Sequence, residues 1–435
     1  MKGSRHTLKA VMQNTGHPEN SWYAATTDIP SWPALTGARH TDVCIIGGGY
    51  TGLGAAIELS RQGIDVTLLE SAQIGSGASG RNGGQIHTGQ RIDPEKLESL
   101  LGADQARQLW DMSEDARASL YSLIHAHNID CDLKHGLIHA WHKPAYEADD
   151  RAYADFVGKY GYNGITLLNK AQVATELGTD VYHGGSFDAG GGHLHPLKLA
   201  LGLARAASNQ GAKLFENSHV LRYRKIAKGI HLHLENGATV TCQRLLICGN
   251  GYMEGLSEEI DSHVMPINNF ILTTEPLDDP TILPHDYAAA DSRFVVNYWR
   301  KTPDNRLLFG GGENYTPWFP KDIKAFVRNN MLKVYPQLAD VKISHAWGGT
   351  LAITMSRAPF VRNLAPNVYT SAGYSGQGVV LAPYFGKLLA RAVTGDAHDV
   401  GLLSRLPTPA FFGGRALRWP ALVAGLSYYA LRDRL

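Results

Sequence analysis

Thr41-Asp-Val-Cys-Ile-Ile-Gly-Gly-Gly-Tyr-Thr-Gly52 and the segment that closes it, Ile64-Asp-Val-Thr-Leu-Leu-Glu70, decide the fold. Thr41 to Ile46 is a short apolar run, the pattern of a buried parallel strand. Tyr50 to Gln62 has a helical pattern, with Gly63 placed to cap it. Asp65 to Leu69 reads as a second strand that stops at Glu70. The three form a βαβ unit of about 30 residues. Within it, Gly47 permits the tight turn out of the strand, Gly49 lets backbone approach a pyrophosphate, and Gly52 lets the helix lie close on the sheet. Tyr50 and Thr51 sit in the first helical turn, where free N–H groups and the helix dipole favour phosphate. Glu70, at the end of the second strand, is placed to accept hydrogen bonds from ribose hydroxyls. Its carboxylate would repel the 2′-phosphate of NADP. The turn leaves FAD and NAD open.

Working outward, the chain of 435 residues is too long for one hydrophobic core, so two lobes are expected. It is 44% hydrophobic and 19% charged, an ordinary globular composition. The net charge of +1 provides no broad electrostatic footprint for nucleic acid. Cys44, Cys131, Cys242 and Cys248 show no CxxC spacing, which argues against zinc or a disulfide framework and for a reduced, cytoplasmic setting. His193-Leu-His195-Pro lacks the spacing and the acidic partner of a metal pair, so no metal is expected. No apolar run reaches the length of a membrane span. The apolar stretch Trp419–Leu431 reads as a C-terminal helix docked on the body, with attachment to a membrane surface as the alternative.

Helix and strand patterns alternate at both ends of the chain and enclose a strand-rich middle. Residues 1–40 form a polar N-terminal arm, anchored by Trp22, Tyr23 and Trp32. Helices are predicted over Glu95–His127, Pro196–Gln210, Lys321–Tyr335 and Gln377–Thr394, a strand over Val368–Ala372, and a hairpin about Asn236-Gly237. The fold class is therefore α/β: a Rossmann-like dinucleotide-binding domain with an inserted mixed α+β substrate domain dominated by a β-sheet. The expected division gives residues 41–92, 182–262 and 345–400 to the nucleotide domain. Residues 93–181 and 263–344 go to the substrate domain, and 401–435 form a C-terminal segment.

Two further stretches select FAD. One is Gly77-Ala-Ser-Gly-Arg-Asn-Gly-Gly-Gln-Ile86, inside a run of glycines that neither helix nor strand tolerates. The other is Gly373-Tyr-Ser-Gly-Gln-Gly378, which enters an apolar helix. With the fingerprint at Gly47 they resemble the D-amino-acid-oxidase-like superfamily of flavoproteins. Leu381-Ala-Pro-Tyr-Phe-Gly-Lys-Leu-Leu and the terminal Leu-Arg-Asp-Arg-Leu435 add a similarity to bacterial gamma-glutamylputrescine oxidases within it. The resemblance implies that Ser76, Ser79, Gly80, Arg81, Asn82, Gly83 and Gly84 touch the cofactor. In that reading Arg81 offsets phosphate charge, and the backbone of Val220 meets adenine. Ser71 and Gly249 complete the expected contacts. The loop of Gly373, Tyr374, Gly376, Gln377 and Gly378 is expected over the pyrimidine end of the flavin, where a helix N-terminus stabilises negative charge. Some members tether flavin through Cys or His. The matching segment, Trp347 to Pro359, contains neither, which implies non-covalent FAD.

The chemistry implied is removal of a hydride from a carbon beside nitrogen, followed by hydrolysis of the imine and reoxidation by O2 to H2O2. Gln85, His87, Trp347 and Tyr374 are the expected catalytic set. Tyr252, Asn297, Tyr298 and Trp299 are candidate pocket walls, and Arg300 or Arg357 is the candidate partner for a substrate carboxylate. The substrate is expected to be a small amine, gamma-glutamylputrescine or a similar one. Cyclic or N-methylated amino acids such as pipecolate and sarcosine are the alternative. Sarcosine-type members place a lysine near the flavin for oxygen. The matching stretch, Arg306-Leu-Leu-Phe-Gly310, is apolar there, which leaves a dehydrogenase passing electrons to a quinone or carrier open. A flavin-bound regulatory protein is the reading from outside enzymology. The oligomeric state is not legible.

Overall fold

The computed structural model describes residues 16–253, 255–314 and 318–414; the C-terminal stretch Trp419–Leu431 lies outside them. The strands form two sheets. In the first, strands Lys213–Phe215, Val66–Leu69, Ala38–Ile46, Thr239–Ile247 and Val368–Ala372 lie side by side and all parallel, and Phe360–Ala365 closes the edge antiparallel. The order along the chain is 3-2-1-4-5, so the direction of winding reverses between Ala38–Ile46 and Thr239–Ile247. That switch point is where an open α/β sheet leaves a crevice for a ligand. The hairpin about Gly237 is present, with Gly229–Leu234 antiparallel to Thr239–Ile247.

Helices Tyr50–Arg61, Ala103–Ala126, Pro196–Asn209 and Gly378–Val393 cover one face of this sheet and share one apolar core. The helical region predicted from Glu95 divides at Gly102 into Pro94–Leu101 and Ala103–Ala126, because Gly102 takes a φ of +84°. Among the described residues no helix is long and apolar enough to cross a membrane.

The second sheet runs Ile343–Ile353, Met265–Thr274, Leu307–Asn314, Tyr298–Lys301, Ala288–Asp291, Lys134–Ala140, Gly184–His193 and Gln85–Ile86, with Ile165–Asn169 also paired to Gly184–His193. Four segments cross the expected boundaries. Gln85–Ile86, Gly184–His193 and Ile343–Ile353, placed beside the nucleotide from the sequence, hydrogen-bond within this second sheet. The long helix Ala103–Ala126, placed with the substrate part, instead buries Leu109, Met112, Ala116 and Leu120 against the nucleotide-side helices. The reason is steric. Gly184–His193 is glycine-rich because its neighbours approach its backbone: a Cβ at Gly192 would stand 2.2 Å from the Lys134 carbonyl oxygen. Such a strand shows no alternating apolar pattern.

The arm is tied to both sheets. Tyr23 is fully buried against His195 and Trp347, and the Glu216 carboxylate accepts from the backbone N–H groups of Trp32 (3.1 Å) and Ile74 (2.8 Å).

Candidate active site

The turn at Gly47 is built as its composition requires. Gly47 has φ +108°, and a Cβ there would meet the Cys248 carbonyl oxygen at 2.7 Å, so the ends of the first and fourth strands touch at the switch point. A Cβ at Gly52 would stand 2.0 Å from the Gly47 oxygen. Glu70 turns inward: Gly48 N–H donates to its Oε2 (2.7 Å), while Ser71 Oγ and Ala72 N–H donate to Oε1 (3.0 Å each). The Tyr50 N–H, at the start of the helix, donates to Ser79 Oγ (3.0 Å), which brings the Gly77–Ile86 loop onto the turn.

A cavity of about 1220 Å³ begins here and continues between the two sheets. It exceeds the roughly 300–1,000 Å³ of ordinary ligand pockets, as a dinucleotide plus a substrate would require. Its nucleotide end is lined by Gly47, Gly49, Tyr50, Thr51, Glu70, Ser71, Ser76, Ser79, Arg81, Asn82, Val220 and Gly249. Gly83, Gln85, Tyr374, Gly376, Gln377 and Gly378 line its middle, and His87, Tyr252, Tyr298 and Arg357 lie on the walls. Gly52, Gly80, Gly84 and Gly373 stand behind this lining and shape it. A Cβ would meet Gly75 oxygen at 2.3 Å from Gly80, and Leu194 oxygen at 2.0 Å from Gly84.

Helix Gly378–Val393 opens on the cavity with no side-chain cap and no acidic residue in its first turn, so its first N–H groups face the space. The Gln377 Oε1 beside them is buried and has no hydrogen-bond partner among the described residues. Two helix N-termini on the cavity, one of them without a capping side chain, an inward carboxylate at the ribose position and a buried amide oxygen form the donor and acceptor set that FAD needs. The residues fit the cofactor.

Several expectations are corrected. Trp347 does not reach the cavity: its indole N–H donates to the Arg81 carbonyl (3.0 Å) and its ring packs on Tyr23. Trp299 is core, stacked between Tyr182 and Phe309. Asn297 gives its amide to Asp291 (2.9 Å) away from the cavity. Arg300 is buried and binds the Gly83 carbonyl (2.9 Å) and the Tyr23 hydroxyl (3.3 Å), bracing the loop from behind rather than facing a substrate. Arg81 lines the cavity, yet its guanidinium donates to the carbonyls of Ser76, Gly348 and Gly16, so it also clamps loop, sheet and arm. The Tyr374 hydroxyl is held by Thr51 Oγ1 (2.7 Å) and Ser371 Oγ (2.8 Å), and burial pushes its pKa well up, so its ring rather than its hydroxyl faces the space.

His193 and His195 each have other partners. His193 Nε2 lies 2.8 Å from the Asp286 carbonyl, and His195 caps helix Pro196–Asn209 by accepting from Lys198 N–H. All four cysteines are buried and free.

The far end of the cavity holds residues the sequence did not single out: Arg91, His139, Asn269, Asp291, Arg293 and Phe294. Asp291 is paired with Arg293. Arg91 donates through Nε to the Ser375 carbonyl (3.3 Å), and its terminal nitrogens have no protein partner among the described residues. Burial lowers its pKa, and the nearby charge of Arg357 lowers it further. Burial first, then Arg91 and His139, hold His87 at about 4, so it is neutral near pH 7. Arg91 was within reach of sequence reasoning, since it closes the glycine-rich loop four residues after His87. His139 and Asp291 come from strands that carry no motif.

Comparison with known proteins agrees with this geometry. The family described as "DAO: FAD dependent oxidoreductase" matches residues 42–392. The chain is 46% identical over 420 residues to "Probable oxidoreductase OrdL" of Rhizobium meliloti (strain 1021), covering 96% of this chain and 98% of that one. It is 35% identical to the gamma-glutamylputrescine oxidoreductase of Escherichia coli (strain K12), covering 97% and 99%. The fold is shared with glycine oxidase from Geobacillus kaustophilus, with a TM-score of 0.69 at 21% identity over 82% of this chain and 95% of that one. With the dinucleotide turn, the second helix entry and the continuous cavity, these matches place the chain in the DAO family of FAD-dependent oxidoreductases.

Proposed function

We propose that the protein is an amine oxidase whose substrate is gamma-glutamylputrescine or a similar amine carrying a carboxylate. The observation that carries the reading is the far end of the cavity. There Arg91, whose terminal nitrogens meet no protein acceptor among the described residues, presents positive charge near Arg357 and beside the aromatic faces of Phe294 and Tyr298. A guanidinium with free terminal donors suits a carboxylate, and an aromatic wall suits the chain of an alkyl amine. The near-full-length similarity to a gamma-glutamylputrescine oxidoreductase supports the same substrate class.

Bound FAD would supply the two-electron acceptor for a hydride from the carbon beside nitrogen; hydrolysis of the imine by water and reoxidation by O2, with release of H2O2, would complete the reaction. The chain's own residues hold and orient. Gly49 and Thr51 would offer backbone N–H groups to the pyrophosphate, since those of Gly48 and Tyr50 already donate to Glu70 and Ser79; the Glu70 carboxylate would hold the ribose, and the positive end of helix Gly378–Val393 would stabilise charge on the pyrimidine side. With no Cys or His in Trp347–Pro359, the flavin is held without a covalent bond. An oxidase of cyclic or N-methylated amino acids is the second reading, since the same arginines would hold an α-carboxylate.

Anaerobic bleaching of the purified yellow protein tests both. The panel is gamma-glutamylputrescine, putrescine, sarcosine, pipecolate and proline. Fast bleaching by gamma-glutamylputrescine with slow bleaching by the amino acids is the expected result. The reverse order selects the second reading, and no bleaching by any of them removes the amine assignment. Peroxide formed in air, in step with substrate consumed, separates an oxidase from a dehydrogenase.

A further inference from the structure

Strand Lys134–Ala140 brings His139 to the cavity, and helix Tyr146–Lys159 brings Asp150 behind it. The Asp150 carboxylate lies 3.1 and 3.2 Å from His139 Nδ1. It also accepts from Trp141 Nε1 (2.7 Å) and Ser186 Oγ (2.6 Å). Burial alone would push this carboxyl up, but the bonds from His139, Ser186 and Trp141 hold it below the ordinary range. Asp150 is therefore ionised at neutral pH and can only accept. The nitrogen that faces it, Nδ1 of His139, is therefore the donor, so whenever the ring is uncharged its lone pair lies on Nε2. Nε2 has no hydrogen-bond partner among the described residues, and the ring lines the cavity. A carboxylate that fixes the tautomer of a histidine, whose other nitrogen faces a substrate space, is the arrangement of an oriented base.

We propose that His139 is a catalytic base that takes the proton from the substrate's ammonium group, and that Asp150 is the residue that positions it. An ammonium nitrogen has no lone pair to support loss of hydride from the neighbouring carbon, so the amine must first be neutral. In this step one N–H bond of the ammonium breaks and a bond from hydrogen to Nε2 of His139 forms. The electron pair stays on the amine nitrogen, and the proton then passes to water.

Two other imidazoles line the cavity. His219 lies beside the adenine-side Val220 and pairs with Glu235, and His87 lies next to Arg91 with no carboxylate partner among the described residues, so it has no comparable anchor. The charged groups around His139 are Asp150 from the helix, the Asp291–Arg293 pair from the adjoining strand and turn, and Arg91 with His87 from the glycine-rich loop. The proposal rests on the amine reading above.

The test uses the flavin-loaded enzyme, His139→Gln and Asp150→Asn. Two quantities are followed across pH: the rate of anaerobic bleaching at saturating amine, and the dissociation constant of a tertiary-alkyl primary amine, which binds but has no hydrogen on the carbon beside nitrogen. In the wild type both should weaken on the acid side, where imidazolium and ammonium repel. In His139→Gln bleaching should fall about 10²- to 10⁴-fold at neutral pH, recover as the pH approaches the amine's own pKa, and the acid-side weakening of ligand binding should vanish. Asp150→Asn should retain the ligand site but lose rate and shift the profile. A His139→Gln profile that overlays the wild type in both measurements would overturn the proposal while leaving the amine reading intact. A wild type bleached by no amine overturns both. If His139→Gln does not load flavin, the same profiles on Asp150→Asn decide, and an unchanged acid limb there sinks the proposal.

Discussion

A methyl group has no room at Gly52, where it would stand 2.0 Å from a backbone oxygen. Gly52→Ala is expected to open the turn and abolish flavin retention through gel filtration, read from the absorbance ratio of flavin to protein. Gly401→Ala is the control, since its Cβ would meet nothing within 4 Å and the mutant should stay yellow. Arg91 belongs to the same scale. Loss of a charge-assisted hydrogen bond costs about 1.5–3 kcal/mol, so Arg91→Ala should raise KM for carboxylate-bearing amines about 10- to 100-fold and leave kcat within a few-fold. Putrescine, which has no carboxylate, should be indifferent to the change; an equal effect on both would make Arg91 a loop brace through Ser375. The glycines and the acid Glu70 were legible because each answers a local steric or charge demand. Arg300 and Trp347 were misread as substrate contacts because the sequence does not say which side of a strand faces the cavity and which the core.

Between elements, the closest fit is that of helices Tyr50–Arg61 and Gly378–Val393, whose N-termini both open on the cavity. Gly54 lies on the Pro383 carbonyl and Gly386 on the Thr51 carbonyl, with Cβ clearances of 2.1 and 2.0 Å. Gly386→Val must force the helices apart. The expected result is a loss of about 3 kcal/mol in urea unfolding, together with weaker flavin binding as the two N-termini separate. Unchanged affinity with lowered stability would detach helix spacing from cofactor grip. Strong periodicity made these helices readable within a residue or two of their ends. Gly184–His193 went unread because glycines replace the alternating apolar residues that mark a strand, and Lys134–Ala140 and Ile165–Asn169 because each is too short to show a clear alternation.

Over the whole molecule, acid should be the weak side. His87 and His195 are buried and neutral, held at about 4 and about 2 by burial and neighbouring cations. Their folded pKa lies below the value of about 6.5 that the unfolded chain shows, so the unfolded state binds more protons as the pH falls below about 6.5. Stability is then full above that pH and declines toward pH 4. Asp150, whose folded pKa is also depressed, loses its contribution further down the same side. Urea midpoints at pH 7.5, 6 and 5 should fall in that order, and a flat series would show these groups to be solvated. The arm acts at this scale too: through Tyr23 it touches Asn82 and Arg300, so segments far apart in the chain hold one loop.

The nucleotide half was written locally. A turn, a dipole and a terminal acid act within one βαβ unit, where neighbours in sequence are neighbours in space, so spacing alone carries the chemistry. The substrate half is built by strands that meet across long stretches of chain, and only their pairing shows that Arg91, His139 and Asp291 share a cavity while Trp299 and Arg300 turn away from it. Which side chains face a ligand there depends on register and burial, quantities that exist only once the sheet has closed.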